Sequence, residues 1–256
     1  RELYMNRIRP FIGGELIKVM TGIRRSGKSV MLELIKEELA EAGVAPSQMI
    51  SINFEDMRYS HLQTATALHD EIIKRAEGIE GKAYLFFDEI QEVEGWEKCV
   101  NSLRVALDCD IYITGSNAKL LSGELATYIG GRYVEFVIYP FSFAEFLELY
   151  HTIAPSDSIQ QCFQKYLLAG GMPYLANLRY EEEPSRQYLT DLFNSVQLKD
   201  IVKRNKIRDI DLLERIIAYM TANVGTVFSA SSLAKFFKNE QRTVAAETIL
   251  NYVRYC

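Results

Sequence analysis

Histidine is scarce in this chain, with only His61, His69 and His151, and their scatter forms no cluster with the spacing of a zinc site. Cysteine is nearly as scarce. Cys99, Cys109, Cys162 and Cys256 include no C-x-x-C pair. A chain that needs an oxidised framework carries cysteines more densely, so four free thiols in a reducing compartment are expected. No apolar run approaches the roughly 20 residues of a membrane-spanning helix. The opening Arg1-Glu2-Leu3-Tyr4 lacks the apolar core of a signal peptide. The expectation is a cytoplasmic protein with no membrane partner. Internal repeats and low-complexity segments are absent, and neither charge sign dominates. With 29 Lys+Arg against 34 Asp+Glu the net charge is -5, which argues against bulk electrostatic attachment to nucleic acid and leaves room only for a local basic face.

Core-forming material is plentiful. Hydrophobic residues make up 48% of 256, with 13 Phe and 15 Tyr, which excludes disorder as the main state. At roughly 150 residues per domain, the length suits one and a half to two domains.

The first half alternates strand-like and helix-like runs. Leu16–Met20, Met49–Phe54, Ala83–Phe87, Asp110–Thr114 and Tyr133–Tyr139 read as strands. Between them, Met31, Leu32, Ile35 and Leu39 recur at helical spacing, as do Leu68, Ile72 and Ala76 within His61–Ala76, and Trp96, Val100, Leu103 and Leu107. Such alternation builds a parallel sheet covered by helices on both faces. From Ser142 the strands stop. Ser142-Phe143-Ala144-Glu145 fits a capping box, and helical periodicity follows with breaks at Pro155, Gly170-Gly171-Met172-Pro173, Pro184 and Gly225. The expected division is a phosphate-loop domain over 1–150, a helical lid over 151–206 and a winged-helix-like segment over 207–256.

Gly22-Ile23-Arg24-Arg25-Ser26-Gly27-Lys28-Ser29 matches G-x-x-x-x-G-K-S between a strand and a helix. The glycines let the backbone wrap a phosphate chain with its N–H groups inward. The helix N-terminus adds positive potential. Gly22 through Val30 is therefore the candidate nucleotide-binding stretch. Lys28 is expected on the β- and γ-phosphates, and Ser29 on Mg²⁺. Within the stretch Arg24 and Arg25 are either nucleotide or partner contacts or solvated loop cations. Tyr84-Leu85-Phe86-Phe87-Asp88-Glu89 is an apolar strand ending in two acids. Asp88 suits the metal's water shell, and Glu89 suits orientation of an attacking water. At the end of the fourth strand stands Thr114-Gly115-Ser116-Asn117. Asn117 can both donate and accept near a γ-phosphate, with Ser116 and Thr114 as rivals, and an ordinary turn is the bland alternative. Arg132, behind Gly130-Gly131, is either a transition-state arginine, from its own subunit or a neighbour, or a surface residue.

These residues, with the Asp88-Glu89-Ile90-Gln91 run, Pro140-Phe-Ser-Phe-Ala-Glu-Phe-Leu147 and Gly170-Gly171-Met172-Pro173, closely resemble the prokaryotic AAA+-like P-loop ATPases. In that family the C-terminal part is usually a domain of unknown function related to restriction-endonuclease folds. The resemblance spans essentially the whole chain. It implies ATP and Mg²⁺ as ligands, hydrolysis of ATP coupled to lid or partner movement, and an α/β sheet of order 5-1-4-3-2. An all-α lid and a winged helix should follow, with Cys256 falling inside the second helix of a helix-turn-helix. It also implies ADP as product, and it admits a homo-oligomer and a DNA or protein partner. A slow nucleotide-gated switch is the alternative. Lys28, Glu89, Asn117 and Arg132 are the catalytic set so implied, with Ser29 and Asp88 on the metal.

Read without that resemblance, Ser229–Phe237 and the stretch after Gln241 form two short helices about a tight turn, which suits DNA or protein contact. Lys199, Lys203, Arg204, Lys206 and Arg208 form a basic run that is the better electrostatic candidate for DNA contact, with a solvated helix face as the favoured bland alternative. Phe136, Tyr139, Phe141, Phe143 and Phe146 read as packing.

Overall fold

The computed structural model describes residues 1–115, 130–196, 201–202 and 205–256. Five strands form one sheet: β1 (Ile17–Thr21), β2 (Met49–Asn53), β3 (Ala83–Asp88), β4 (Cys109–Gly115) and β5 (Tyr133–Val137). Every pairing is parallel, and the order β2-β3-β4-β1-β5 is the expected 5-1-4-3-2 read from the other edge. The sequence makes the central strands suited to this place. β1 and β4 are buried at every position, as strands covered on both faces must be.

Side-chain alternation divides the core into two layers. Leu85 and Phe87 of β3 join Val19, Ile52 and Ile113 on the face covered by α3 (Ala65–Ala76) and α4 (Trp96–Ala106). Phe86, between them in sequence, joins Met20, Tyr112 and Phe136 on the opposite face, under α1 (Glu2–Ile8) and α2 (Lys28–Glu41). Helix α3 starts later than periodicity suggests, because Thr64 caps it by accepting from Ala67 N, and the stretch Met57–Leu62 forms a tighter turn before it.

One charged pair lies inside the sheet. Lys18 of β1 and Asp110 of β4 are fully buried and bonded to each other. Tyr112 Oη and Gly13 N each donate to Asp110 Oδ2 at 2.7 Å. Burial lowers the Lys18 ammonium from its ordinary value, against the pull of Asp110. Such a pair persists only because each charge is matched and hydrogen-bonded.

After β5, Ser142 and Glu145 form the expected capping box at the start of α5 (Phe143–Tyr150). Ser158 and Gln161 form a second at α6 (Ile159–Ala169). Phe143, Phe146, Tyr150, Tyr166 and Tyr180 stack or meet edge-on around these helices. Tyr139, expected in that packing, is instead 64% exposed. Its backbone is what the fold uses: Tyr139 N donates to Tyr4 Oη at 3.0 Å. Pro184 does not break a helix. It sits in the first turn of α7 (Glu182–Val196), where a missing N–H costs nothing.

The chain divides into two compact units, Arg1–Ser185 and Arg186–Cys256. The first therefore takes in the sheet together with α5 and α6. In the second, α8 (Ile210–Ala222), α9 (Ala230–Asn239) and α10 (Ala246–Tyr255) bury Leu212, Ile216, Leu233, Phe237 and Ile249. Helix α10 begins only at Ala246, so Arg242 stands in the preceding turn. There it pairs with Asp209 at 2.5 Å and with Asp211. Among the described residues, no helix is long and apolar enough to cross a membrane. All four cysteines are free, three of them buried.

Candidate nucleotide site

The phosphate-loop motif joins the end of β1 to the start of α2, at the C-terminal edge of the sheet. Gly22 has φ 142°, and a Cβ there would stand 2.2 Å from Ile138 O, so only glycine fits. Gly27 is the N-cap of α2 at φ 100° and offers no capping side chain, so the first-turn amides have no side-chain acceptor of the usual kind. Ser26 Oγ is buried with no partner among the described residues. An anion-binding loop has these features: uncapped amides, a hydroxyl without a protein partner and a backbone that tolerates no Cβ at its first turn.

Lys28 is buried in the first turn of α2. Its Nζ donates to Gly22 O and Ile23 O, both at 3.2 Å, and lies 3.7 Å from Glu89 Oε1. Burial lowers its ammonium from the ordinary value, while Glu89 and Asp88 partly restore it. Ser29 and Val30 face solvent on the same turn. Arg24 lies 3.6 Å from Glu55, and Arg25 takes a positive φ of 62° at the loop tip.

Opposite the loop, β3 delivers Asp88 to the same edge. Asp88 Oδ1 accepts from Thr114 Oγ1 at 2.5 Å, and Oδ2 accepts from Asn53 Nδ2 at 3.0 Å. Glu89 N donates to the same Thr114 hydroxyl at 3.0 Å. Glu89 Oε2 accepts from Gln91 Nε2 at 2.6 Å. Lys28, Asp88, Glu89 and Thr114 therefore meet in one place. Ser116 and Asn117 lie outside the described residues.

Arg132 does not join them. Tyr133 at the head of β5 pairs with Ile17 at the head of β1, which puts Arg132 at the far edge of the sheet from the loop. Its Nη1 donates to Asn101 Oδ1 at 3.0 Å.

Three participants escaped sequence reasoning. Asn53 and Gln91 owe their roles to strand order and to one turn of backbone. Arg1 inserts beside the loop, where Nη2 donates to Ser26 O at 2.5 Å and Nη1 to Tyr139 O at 2.9 Å. Of the three, only Gln91 left a trace in the sequence, as part of the Asp88–Gln91 run.

Comparison with known proteins agrees with this geometry. Residues 15–147 match the AAA domain family, and residues 160–255 match a domain of unknown function, DUF8612. The second match lends no support to a restriction-endonuclease relation. An uncharacterized protein of Haemophilus influenzae is 37% identical over 254 residues, covering 99% of this chain and 63% of the relative. The uncharacterized protein MJ1544 of Methanocaldococcus jannaschii is 32% identical over 251 residues, covering 93% of this chain and 54% of the relative. The chain thus spans between half and two thirds of the length of these relatives. A solved structure of the Aeropyrum pernix ORC1 protein in complex with DNA aligns with TM-score 0.44 and 14% identity, over 99% of this chain and 82% of that one. With a family match across residues 15–147, over half its length, this chain belongs to the AAA domain family and is a nucleotide-binding protein of the AAA type.

Proposed function

We propose that this protein hydrolyses ATP to ADP and phosphate with Mg²⁺, and that nucleotide state moves a helical lid over 151–206 or a partner. The observation that carries this reading is the convergence of Lys28, Asp88 and Glu89, with Glu89 Oε1 3.7 Å from Lys28 Nζ across the loop. A loop that binds nucleotide needs only the lysine and the amides. An acid held next to them is what chemistry adds.

The residues suit the roles assigned to them. Lys28 and the amides from Gly22 to Val30 hold the phosphates, and Ser29 and Asp88 would hold the metal. Among the described residues no group of three or more His, Cys, Asp or Glu is placed to hold an ion. Mg²⁺ keeps its waters and uses one or two side chains plus substrate phosphates, the number that Ser29 and Asp88 would supply. When bound, the ion would offset charge building on the phosphate oxygens. Glu89 orients the attacking water and accepts its proton as the new P–O bond forms and the bond to ADP breaks. The γ-phosphate sensor is Thr114, Ser116 or Asn117. Of these, Thr114 already links both acids.

A slow nucleotide-gated switch is the second reading, favoured by the position of Arg132 at the far edge of the sheet. A subunit alone lacks that cation at its own site. On this reading the helices over 207–256, proposed as winged-helix-like, meet DNA or a protein partner.

The test is turnover by purified Glu89→Gln protein, with and without duplex DNA. The amide keeps its size and loses its basicity. ATP should bind as in the wild type, while turnover falls by about 10²–10⁴-fold, the usual worth of a general base. Turnover that survives would leave Glu89 a strand-end acid and favour the switch.

A further inference from the structure

We infer that Gln91 is a positioning residue for Glu89, tethering one carboxylate oxygen so that the other stays turned toward the phosphate loop. This rests on the proposed role of Glu89 in hydrolysis and adds what sets its geometry.

Three observations on one short segment carry it. Glu89 has φ 55° and ψ 48°, a left-handed conformation that a residue with a Cβ seldom adopts. It is held there by its amide bond to Thr114 Oγ1. The chain then makes one tight turn, Ile90–Glu92, pinned by the fully buried Ile90 and by Val93 in the core. This turn brings the Gln91 side chain back onto the residue two places earlier, with Nε2 2.6 Å from Glu89 Oε2. Finally, Gln91 Oε1 is buried and has no partner among the described residues.

The last two observations belong together. A carboxylate only accepts, so the 2.6 Å contact fixes the amide with its NH₂ end toward Glu89. Burying an acceptor without a donor is unfavourable, and a flipped amide would lose the contact with Glu89. The orientation is therefore set by what the NH₂ does for Glu89. Without the tether, a flexible glutamate beside a buried ammonium would close onto it, because a direct charged contact is the stronger one in a desolvated place. Glu89 instead divides its carboxylate, with Oε2 held by the amide at 2.6 Å and Oε1 in a longer ion pair with Lys28 at 3.7 Å. A general base has to be held in place beside its water rather than left to follow the nearest cation, and the amide supplies that hold.

The experiment is a double-mutant cycle. Gln91→Leu keeps approximate size and removes the donor. Gln91→Met removes the donor without adding a charge and repacks flexibly, so it serves if the leucine variant does not fold. Each is made alone and on Glu89→Gln. ATP affinity is measured by titration, and the chemical step in single turnover with protein in excess. Alone, either variant should slow the chemical step by about 10- to 10²-fold, the size of penalty a misplaced group brings. ATP affinity should hold within about threefold. On Glu89→Gln neither should cause further loss, because no carboxylate remains to position. A purely structural role would slow both backgrounds equally, and that result, or wild-type speed in the single variants, overturns the inference. If Glu89→Gln is slow while Gln91→Leu is fast, only this inference fails. If Glu89→Gln itself is fast, the role of Glu89 fails first and takes the inference with it.

Discussion

One hydroxyl joins the two acids of the site: Thr114 Oγ1 donates to Asp88 and accepts from the amide of Glu89. Thr114→Val keeps the shape and removes both bonds, leaving a buried amide and a carboxylate oxygen short of a partner. Stability should fall by about 1–3 kcal/mol in a denaturant titration. Turnover should fall with it, and Thr114→Ser should recover both. Stability lost with turnover intact would separate Thr114 from the chemistry. For Lys28 the expectation is different. Lys28→Ala removes the cation that faces the phosphates, so titration calorimetry should show no ATP binding while circular dichroism keeps the fold. The sequence placed Lys28 at the helix start that closes the glycine loop, and Asp88 and Glu89 where an apolar strand ends. Asn53 was not legible there. Its contact with Asp88 exists only because β2 lies beside β3 with those two residues in register.

Helix starts were legible where a side chain sets them, as at Ser142, and misplaced where a less obvious cap does, as at Thr64. The Gly170-Gly171-Met172-Pro173 run was visible as a break but not as a clasp. Phe141 N donates to Gly171 O at 2.7 Å, and Tyr166 Oη donates to Phe141 O at 2.9 Å. A Cβ on Gly171 would stand 2.1 Å from Phe141 O. Gly171→Ala should therefore destabilise the first unit by about 1–3 kcal/mol, the usual cost of overpacking, read by urea unfolding. In the second unit, the Arg242 guanidinium, by hydrogen bonding, holds Asp209 and Asp211 below the ordinary carboxylate range. Carboxyl groups depressed in the folded state favour folding above their unfolded value of about 3.9. That contribution is lost as pH falls further, through the folded values. Arg242→Met should therefore lower stability near neutrality and flatten the acid limb below about pH 4, so that the two proteins converge at the lowest pH. Identical acid limbs for the two proteins would mean that these exposed pairs contribute nothing measurable. An arginine held by two acids is also poorly placed to read DNA, a point the helix-turn-helix pattern in the sequence did not reveal.

At the scale of the molecule, the motifs placed the phosphate loop and acids at one edge of the sheet, and the order 5-1-4-3-2 came from family resemblance. The position of Arg132 needed the register of β5 against β1, which no local pattern contains. That register makes its role a question of assembly. An arginine at the head of β5 is a sheet's length from its own loop, so a role on transition-state charge would require a neighbouring subunit. If it acts there, specific activity should rise with protein concentration, and Arg132→Ala should cost on the order of 10³–10⁵ in rate. Mixing Lys28→Ala with Arg132→Ala, each inactive alone, gives the decisive measurement. In a shared site the intact loop of the Arg132→Ala subunit receives the intact arginine of the Lys28→Ala subunit, and activity returns. Asn101 is the local partner of Arg132, at 3.0 Å, so Asn101→Ala should release the arginine without removing it and leave the rescue intact. A flat activity-against-concentration curve with no rescue would make Arg132 a surface residue that ties β5 to α4. The slow switch would then be the reading left standing.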